Sequence, residues 1–421
     1  MFKGVYKLYF TELSEQEYVD FIQQHFVHFT QDIEHYRYRQ QHGNRGYLLG
    51  VKDDNEQVIA AGLFSSASVF RFFNYVYSHR GPVMDYQNVA LVKYFFESLT
   101  RYFRRRRCIF IQVDPYIQLT DRDHSGKVIK TYDQNDWIAQ MENLGYKLQH
   151  YQQGVSSYSQ ARWLSVLPLS GKTEHDLLKA MDYNTSRSIK KSQEMGVKVR
   201  DLTRDEMDHF YALYQMAEVK HNFSMFDKSY MYQYLDMYPS TSMMKLAYID
   251  LEEHMAGLQV ELEEAEQRRA TLQQGVDEAP KSKKRRNLLK DQEVICESIK
   301  KRLAEAQALQ AKHGNMLDLA SAIFLENQNE LVYMFSGSNP EFNRYMGNYT
   351  LQWEMIRHAL NNGLSRYNFY GVSGVFTRDA QDYGVLDFKK GFGGYVEELV
   401  GDFIKPVYPL LYRLFKLKTG R

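Results

Sequence analysis

Apolar residues follow two rhythms along the 421-residue chain. Between Leu251 and His313 they thin to a stripe. Leu251, Met255, Leu258, Leu262, Ala265, Arg269 and Leu272 recur at alternating intervals of 4 and 3 residues, and Leu288, Gln292, Ile295, Ile299, Arg302, Ala306 and Leu309 repeat that spacing. A stripe this narrow needs only one partner helix to bury it. "GVDEAPKSK" separates the two runs, and its Gly275 and Pro280 interrupt a helix. The pattern predicts an antiparallel coiled-coil hairpin over 251–313, an arm of two helices of about 20 residues each, ~30 Å long. Its turn carries Lys281, Lys283, Lys284, Arg285 and Arg286. Such a run is either a solvated basic face or a contact for a phosphate backbone.

Outside the arm the apolar residues come in short runs rich in Val, Ile, Tyr and Phe, as strands do. The first half reads "YLLGVKDD", "VIAAGLFSS", "FNYVYSHRGP", the helix-like "NVALVKYFFESLTRYF", then "CIFIQVDP". The second reads "MKLAYID", the arm, "DLASAIFLE", "LVYMFSGSNP", the helix-like "NYTLQWEMIRHALNNG", then "RYNFYGVSG". Both give strand, strand, strand, helix, strand, so the fold class is α/β (α+β) with an internal repeat. The arm interrupts a strand connection of the second copy, where a long insertion costs little. Asn362–Gly363 stops the second helix. Between the copies, Thr173 and Asp176 predict a capping box, and Asn184 and Gly196 bound a further helix whose Arg187, Lys190 and Lys191 make a cationic side. Two such units leave a cleft between them, a common place for a site.

Composition narrows the class. Hydrophobic residues make up 44% and charged residues 25%, as in ordinary globular proteins, and the net charge of +1 leaves nucleic acid or membrane contact to local patches. Cys108 and Cys296 form no C-x-x-C pair and no two histidines are four apart, so neither a disulfide framework nor a metal site is expected. The N-terminal residues carry charges throughout, and no apolar run reaches the ~18 residues of a membrane span. A cytoplasmic protein follows as the expectation.

Several segments in this order resemble the Fem family of peptidoglycan interpeptide-bridge aminoacyltransferases, in its FemA and FemB branch. They are "HRGPVMDY" (79–86), "IQVDPY" (111–116), "RSIKKSQEMGVKVR" (187–200), the arm, "RYNFYGVSGVF" (366–376) and "DYGVLDFKKGFGGYVEELVGDFIKP" (382–406). The resemblance covers essentially the whole chain. It implies two acetyltransferase-like (GNAT) domains: 1–165, with 396–421 packing back on it, and 166–250 with 314–395, interrupted by the arm. It implies an aminoacyl-tRNA donor, an acceptor amine on the lipid II stem peptide or its growing bridge, no cofactor, and a place at the inner face of the cell membrane. A homodimer and a peripheral membrane contact are compatible with it. Residue by residue, it places Asp114 by the acceptor cleft, Arg39 where members carry a phosphate-binding lysine, and Phe388 and Lys389 at the reaction centre. Tyr116, Arg187, Lys190, Tyr370 and Gly391 fall in the same motifs as substrate-binding candidates, with Lys283, Lys284, Arg285 and Arg286 as candidates for tRNA. One departure concerns an arginine that members carry in the second domain. Here Phe226 stands at its place, and Lys220, His221 or Lys228 would have to supply the contact.

The chemistry agrees in outline. Aminolysis of an ester needs a neutral amine, a fixed carbonyl and stabilisation of a tetrahedral oxyanion, with no metal and no protein nucleophile. In "YGVLDFKKGFGG" the glycines follow the lysines, unlike a phosphate cradle. Alternation of Leu386 and Phe388 with Asp387 and Lys389 predicts a strand that turns only one lysine into the cleft. Gly391, Gly393 and Gly394 would let the backbone approach a bulky substrate. Two alternatives stay open. Acyl-CoA-dependent transfer would use a Q/R-x-x-G-x-G/A loop, which "RGPVMDY" and "GVSGVF" lack. A coiled-coil or RNA-binding scaffold would make no amide at all.

Overall fold

A computed structural model describes residues 7–149, 153–154, 158–221 and 226–419, with backbone only for 218–221. In chain order its strands are β1 (Tyr9–Glu12), β2 (Gly46–Lys52), β3 (Val58–Val69), β4 (Phe73–Ser78), β5 (Val83–Met84), β6 (Cys108–Val113), β7 (Gln118–Arg122), β8 (Val128–Thr131), β9 (Lys147–Leu148), β10 (Trp163–Pro168), β11 (Lys198–Asp201), β12 (Ser242–Asp250), β13 (Met316–Glu326), β14 (Glu330–Ser338), β15 (Arg366–Val372), β16 (Tyr395–Leu399) and β17 (Phe403–Pro406). They form two mixed sheets, ordered β1-β2-β3-β4-β6-β17-β9, with β5 on β3, and β11-β12-β13-β14-β15-β10-β16-β7-β8.

The repeated order in the sequence becomes a repeated topology. β2, β3 and β4 pair antiparallel, the Val89–Arg104 helix crosses over, and β6 returns parallel to β4. β12, β13 and β14 do the same, with the Gly347–Asn361 helix leading to β15 parallel to β14. Each crossover helix buries its apolar stripe against its own sheet: Phe95, Phe96, Leu99 and Phe103 in one core, Leu351, Met355, Ile356 and Ala359 in the other. The sheets also exchange chain. β7 and β8, from the segment expected to build the first unit, extend the second sheet through β16, while β17 and the Pro409–Thr419 helix lie on the first.

One irregularity shapes the second sheet. β14 and β15 pair only at Glu330–Val332 with Arg366–Asn368 and then part. Phe29 and Tyr238 fill the gap with Val332, Leu325 and Tyr370. The hairpin tip at 327–329 grips the N-terminal segment, with Asn327 Nδ2 donating to Val27 O at 3.0 Å and Gln328 Nε2 to Ile22 O at 2.7 Å. The first unit thus reaches into the splayed edge of the second.

The inserted segment is a hairpin of two long helices, Leu251–Glu278 and Lys283–His313, of 28 and 31 residues. At 1.5 Å per residue they run about 42 and 46 Å, half as long again as the heptads suggest. The seam of the first helix is Leu258, Leu262 and Ala265, as the spacing predicts. In the second helix Cys296, Ile299 and Leu303 face it, so Ile295 and Arg302 lie one residue off the seam. Ile295 is exposed and Arg302 pairs with Glu261 at 3.1 Å. Arg269 is exposed as well. Gln292 is buried and satisfied, donating to Ala265 O at 3.0 Å. The base of the arm belongs to the body: Leu251 and Ala306 sit in the core of the second sheet, with Met255 and Leu309 packed against them. Excising 260–301 and closing the gap with a short Gly/Ser turn is therefore expected to leave the thermal transition of the body cooperative and at its parental temperature. A broadened or strongly lowered transition in circular dichroism would show that the outer arm holds the body together.

Two local expectations change. Asp182, not Asn184, caps the Tyr183–Glu194 helix, its side chain accepting from Thr185 N. The segment expected to alternate as a strand is a helix, Tyr383–Lys390.

Candidate active site

Both parallel strand pairs end at the same junction. β6 stops at Asp114 because Pro115 has no N–H to continue the ladder. Beside it, β4 leads into His79 and Arg80, the latter held at a φ of 55°. Asp114 Oδ1 accepts the Arg80 N–H at 2.6 Å, and Oδ2 lies 3.4 Å from the Arg80 guanidinium. Both side chains are almost fully buried. Burial raises the Asp114 carboxyl above the usual carboxylate range, while Arg80 pulls it the other way. Asp114 therefore meets its own arginine, and its carboxylate is not open to solvent.

On the β15 side, Tyr370 sits at a φ of 64° in a bulge where β15 gains a residue over β10. A tyrosine in the left-handed region is strained and needs its surroundings to hold it there. Asn368 Oδ1 accepts its N–H at 2.8 Å, and Tyr370 OH donates to Gln160 Oε1 at 2.9 Å. The strained backbone presents two carbonyls to Lys389, whose Nζ donates to Gly371 O at 2.7 Å and to Tyr370 O at 3.4 Å. Lys389 is only 4% exposed. Burial pushes its ammonium down to about 7, opposed by Asp382. Lys390, the next residue, is exposed. One lysine does point inward, but for a helical reason: Leu386 and Lys389, three apart, share the buried face. Phe388 is half-buried and meets Tyr349 edge-on at 5.2 Å.

The two sides connect. Gln160 N donates to Tyr77 OH at 3.4 Å, and Tyr77 OH to Asp402 Oδ1 at 3.1 Å. Tyr77, His79 and Gln160 also line a cavity of about 190 Å³ with Tyr75, Gln112, Tyr158 and Ser159. Burial, followed by His35, Arg39 and Arg80, lowers the His79 imidazole to about 3, so it stays neutral. Arg39 reaches the same strands, donating to Ser66 O at 2.5 Å, where Ser66 pairs with Val76 across β3 and β4.

Five groups that the sequence left unassigned, Arg80, Arg366, Glu397, Glu330 and His28, meet at the junction. Arg366 donates to Glu330 Oε2 at 2.8 Å, to both oxygens of Glu397 at 3.0 and 3.1 Å and to Tyr116 OH at 2.7 Å, and its guanidinium lies 4.3 Å from the Phe26 ring centre. Tyr116 OH in turn donates to Glu397 Oε2 at 2.6 Å. His28 is fully buried near the Tyr116 and Tyr370 rings, with centroids at 6.2 and 6.3 Å. Arg80, Arg366 and Glu397 stood inside the quoted motifs, whereas Glu330 and His28 carried no local signal.

The remaining candidates lie elsewhere. Arg187 and Lys190 are exposed on their helix, and Lys190 lies 3.8 Å from Glu194. A Cβ at Gly391 would run into Thr185 Oγ1, and Gly393 and Gly394 likewise press on the backbone of Ala180 and Val166. The glycines let the turn dock on its own domain. At the arm tip Lys283, Lys284 and Arg286 are exposed, while Arg285 pairs with Glu278 at 3.3 Å and with Gly275 O. Phe226 stacks on Tyr230 at 4.1 Å and Lys228 pairs with Asp208; the side chains of Lys220 and His221 lie outside the described residues. Among the described residues no helix is long and apolar enough to cross a membrane.

Residues 13–419 match the FemAB family. Aminoacyltransferase FemA of Staphylococcus aureus strain MW2 is 36% identical over 408 residues, covering 96% of this chain and 97% of its own. FemA of the bovine strain RF122 / ET3-1 gives the same figures. The crystal structure of FemX superposes with a TM-score of 0.80 at 22% identity, over 96% of this chain and 99% of that one, which shows a shared fold. The chain belongs to the FemAB family.

Proposed function

We propose that this protein is an aminoacyltransferase that moves an amino acid from aminoacyl-tRNA to an amine of the lipid II stem peptide or of the bridge growing on it. The carrying observation is the extent of the match: 36% identity to an aminoacyltransferase over 96% of the chain. The amine nitrogen bonds to the ester carbonyl carbon, the bond to the tRNA ribose oxygen breaks, and the amine proton leaves with that oxygen. Each sheet with its crossover helix is the core of one acetyltransferase-like domain, the first drawing on 1–165 with 396–421 and the second on 166–250 with 314–395, while β7, β8 and parts of β10 and β16 pass from the first set of residues into the second sheet. The coiled-coil arm of 251–313 projects from the second.

Lys389 supplies positive charge to the oxyanion, and Phe388 walls the reaction centre. Asp114 acts through Arg80, fixing the turn beside the cavity instead of taking a proton from the amine. Arg39, Tyr116 and Tyr370 line or brace the acceptor side, and Gly391 serves packing. Incubation with lipid II and tRNA charged in turn with Gly, Ala and Ser tests the reading: one charged tRNA should give a new amide on the acceptor. No amide with any of them, together with saturable acetyl-CoA binding, would overturn it.

The arm tip is the proposed tRNA contact. Converting Lys283, Lys284 and Arg286 to Ala should weaken charged-tRNA binding and flatten its dependence on log salt, by roughly 0.7–0.9 per lost phosphate contact. Identical slopes for variant and parent would assign the tip to solvent.

A further inference from the structure

The Pro409–Thr419 helix is apolar on two sides. Leu411, Tyr412 and Phe415 pack on Ile109, Phe110 and Ile404, with the Phe415 and Phe110 rings 5.1 Å apart. Leu410, Leu414 and Leu417 point the other way and are 75%, 55% and 82% exposed. Their spacing of four and three makes one outward stripe. Two loops of the first sheet flank the helix. Phe73 meets Tyr408 edge-on at 6.2 Å, and Lys418 lies 5.7 Å from the Phe70 ring centre. Tyr408 OH donates to Arg104 O at 2.9 Å. Phe72, at the tip of the first loop, is 63% exposed. Arg71, Arg104, Arg105, Arg107, Arg413 and Lys416 are exposed around these apolar groups. No aspartate or glutamate occurs in 69–78, 98–113 or 403–419, although the whole chain is nearly balanced at 53 Lys and Arg against 52 Asp and Glu. The fold therefore gathers a cationic, leucine-studded face from three separate segments.

We propose that this face docks on an anionic lipid bilayer, with Leu410, Leu414, Leu417 and Phe72 entering the headgroup region and the surrounding arginines and lysines meeting lipid phosphates. An RNA backbone would answer the charge but gains nothing from a stripe of exposed leucines, whereas an interfacial helix needs both. The proposal deepens the reading of a lipid-linked acceptor and rests on it only for its purpose. Vesicle binding involves no aminoacyl transfer, so the two readings fail separately.

Flotation with phosphatidylcholine vesicles, with and without phosphatidylglycerol, tests it. The parent should float with the anionic vesicles, and less so at high salt. R71Q/R413Q/K416Q should bind roughly 100-fold more weakly, at about fivefold per juxtamembrane charge. L410S/L414S/L417S should also lose binding while keeping the parental thermal transition, since its side chains are exposed. Equal partition of the parent to both vesicle types, or parental binding by either triple variant, would overturn the proposal. So would a charge variant that loses tRNA binding but keeps its vesicles, since the face would then belong to RNA.

Discussion

Arg366→Met is expected to destabilise the folded protein by about 3–5 kcal/mol, because removing one partner of a buried ion pair strands the other charges. The stranded groups are Glu330 and Glu397, 0% and 1% exposed, against an Arg366 side chain itself only 11% exposed. Glu397 keeps donors in Tyr116, Gln118 and Tyr395, at 2.6, 2.8 and 3.0 Å, whereas Glu330 keeps Asn368 at 3.0 Å and, among the described residues, has an oxygen with no hydrogen-bond partner. Most of the cost therefore falls on Glu330. Adding Glu330→Gln to Arg366→Met should recover part of the loss, since a neutral amide needs no counter-charge. Urea unfolding of the parent and of both variants measures this. A loss below about 1 kcal/mol would mean that the network is not what joins β14, β15 and β16.

The sequence made the repeated unit legible because each copy carries its own local signals: β-rich runs, a helix with a stop at Asn362–Gly363, and a strand after it. The register of the arm's second helix was not legible. Gln292, Ile299 and Ala306 belong to two heptad phases, one continuing through Ile295 and Arg302, the other through Cys296 and Leu303. Only the facing Leu258–Leu262–Ala265 stripe chooses the second. "VLDFK" was ambiguous for a similar reason. Four or five alternating residues fit a strand, and the same residues fit a helix with Leu386 and Lys389 on one face, as the core around Leu386 requires. The glycines after it reported close packing on Thr185, Ala180 and Val166, partners some 200 residues away in the chain. Arg366, Glu330 and Glu397 lie 31 and 36 residues apart, so no periodicity brings them together. Asp114 was found through its motif, but its engagement by Arg80 depends on the turn after β4.

Lys389→Met is expected to lower kcat for aminoacyl transfer by roughly 10²–10³, the range for losing one preorganised oxyanion donor, while Lys390→Met leaves it near parental. Successive residues of a helix point about 100° apart, so the two lysines cannot share a target. Only Lys389 is buried, with Nζ fixed by the carbonyls of Gly371 and Tyr370 in the strained stretch of β15. A charge held in place by the fold needs no reorganisation when the oxyanion forms. The pH profile gives a second readout. Burial lowers this lysine to about 7, and only its ammonium form can help. Its contribution to kcat should then decline as pH rises through about 7, and Lys389→Met should lack that inflection. Stability moves in the opposite direction. An unfolded lysine titrates near ~10.4, so above about 7 the unfolded chain binds more protons at this residue than the folded one. Folded-state stability should therefore rise with pH from about 7 towards ~10, and Lys389→Met should flatten that slope. Rapid-quench rates with charged tRNA and acceptor, and urea midpoints across the same pH range, measure both. Parental kcat for Lys389→Met, or an equal loss for Lys390→Met, would detach Lys389 from the reaction and leave it as a brace for the β15 bulge.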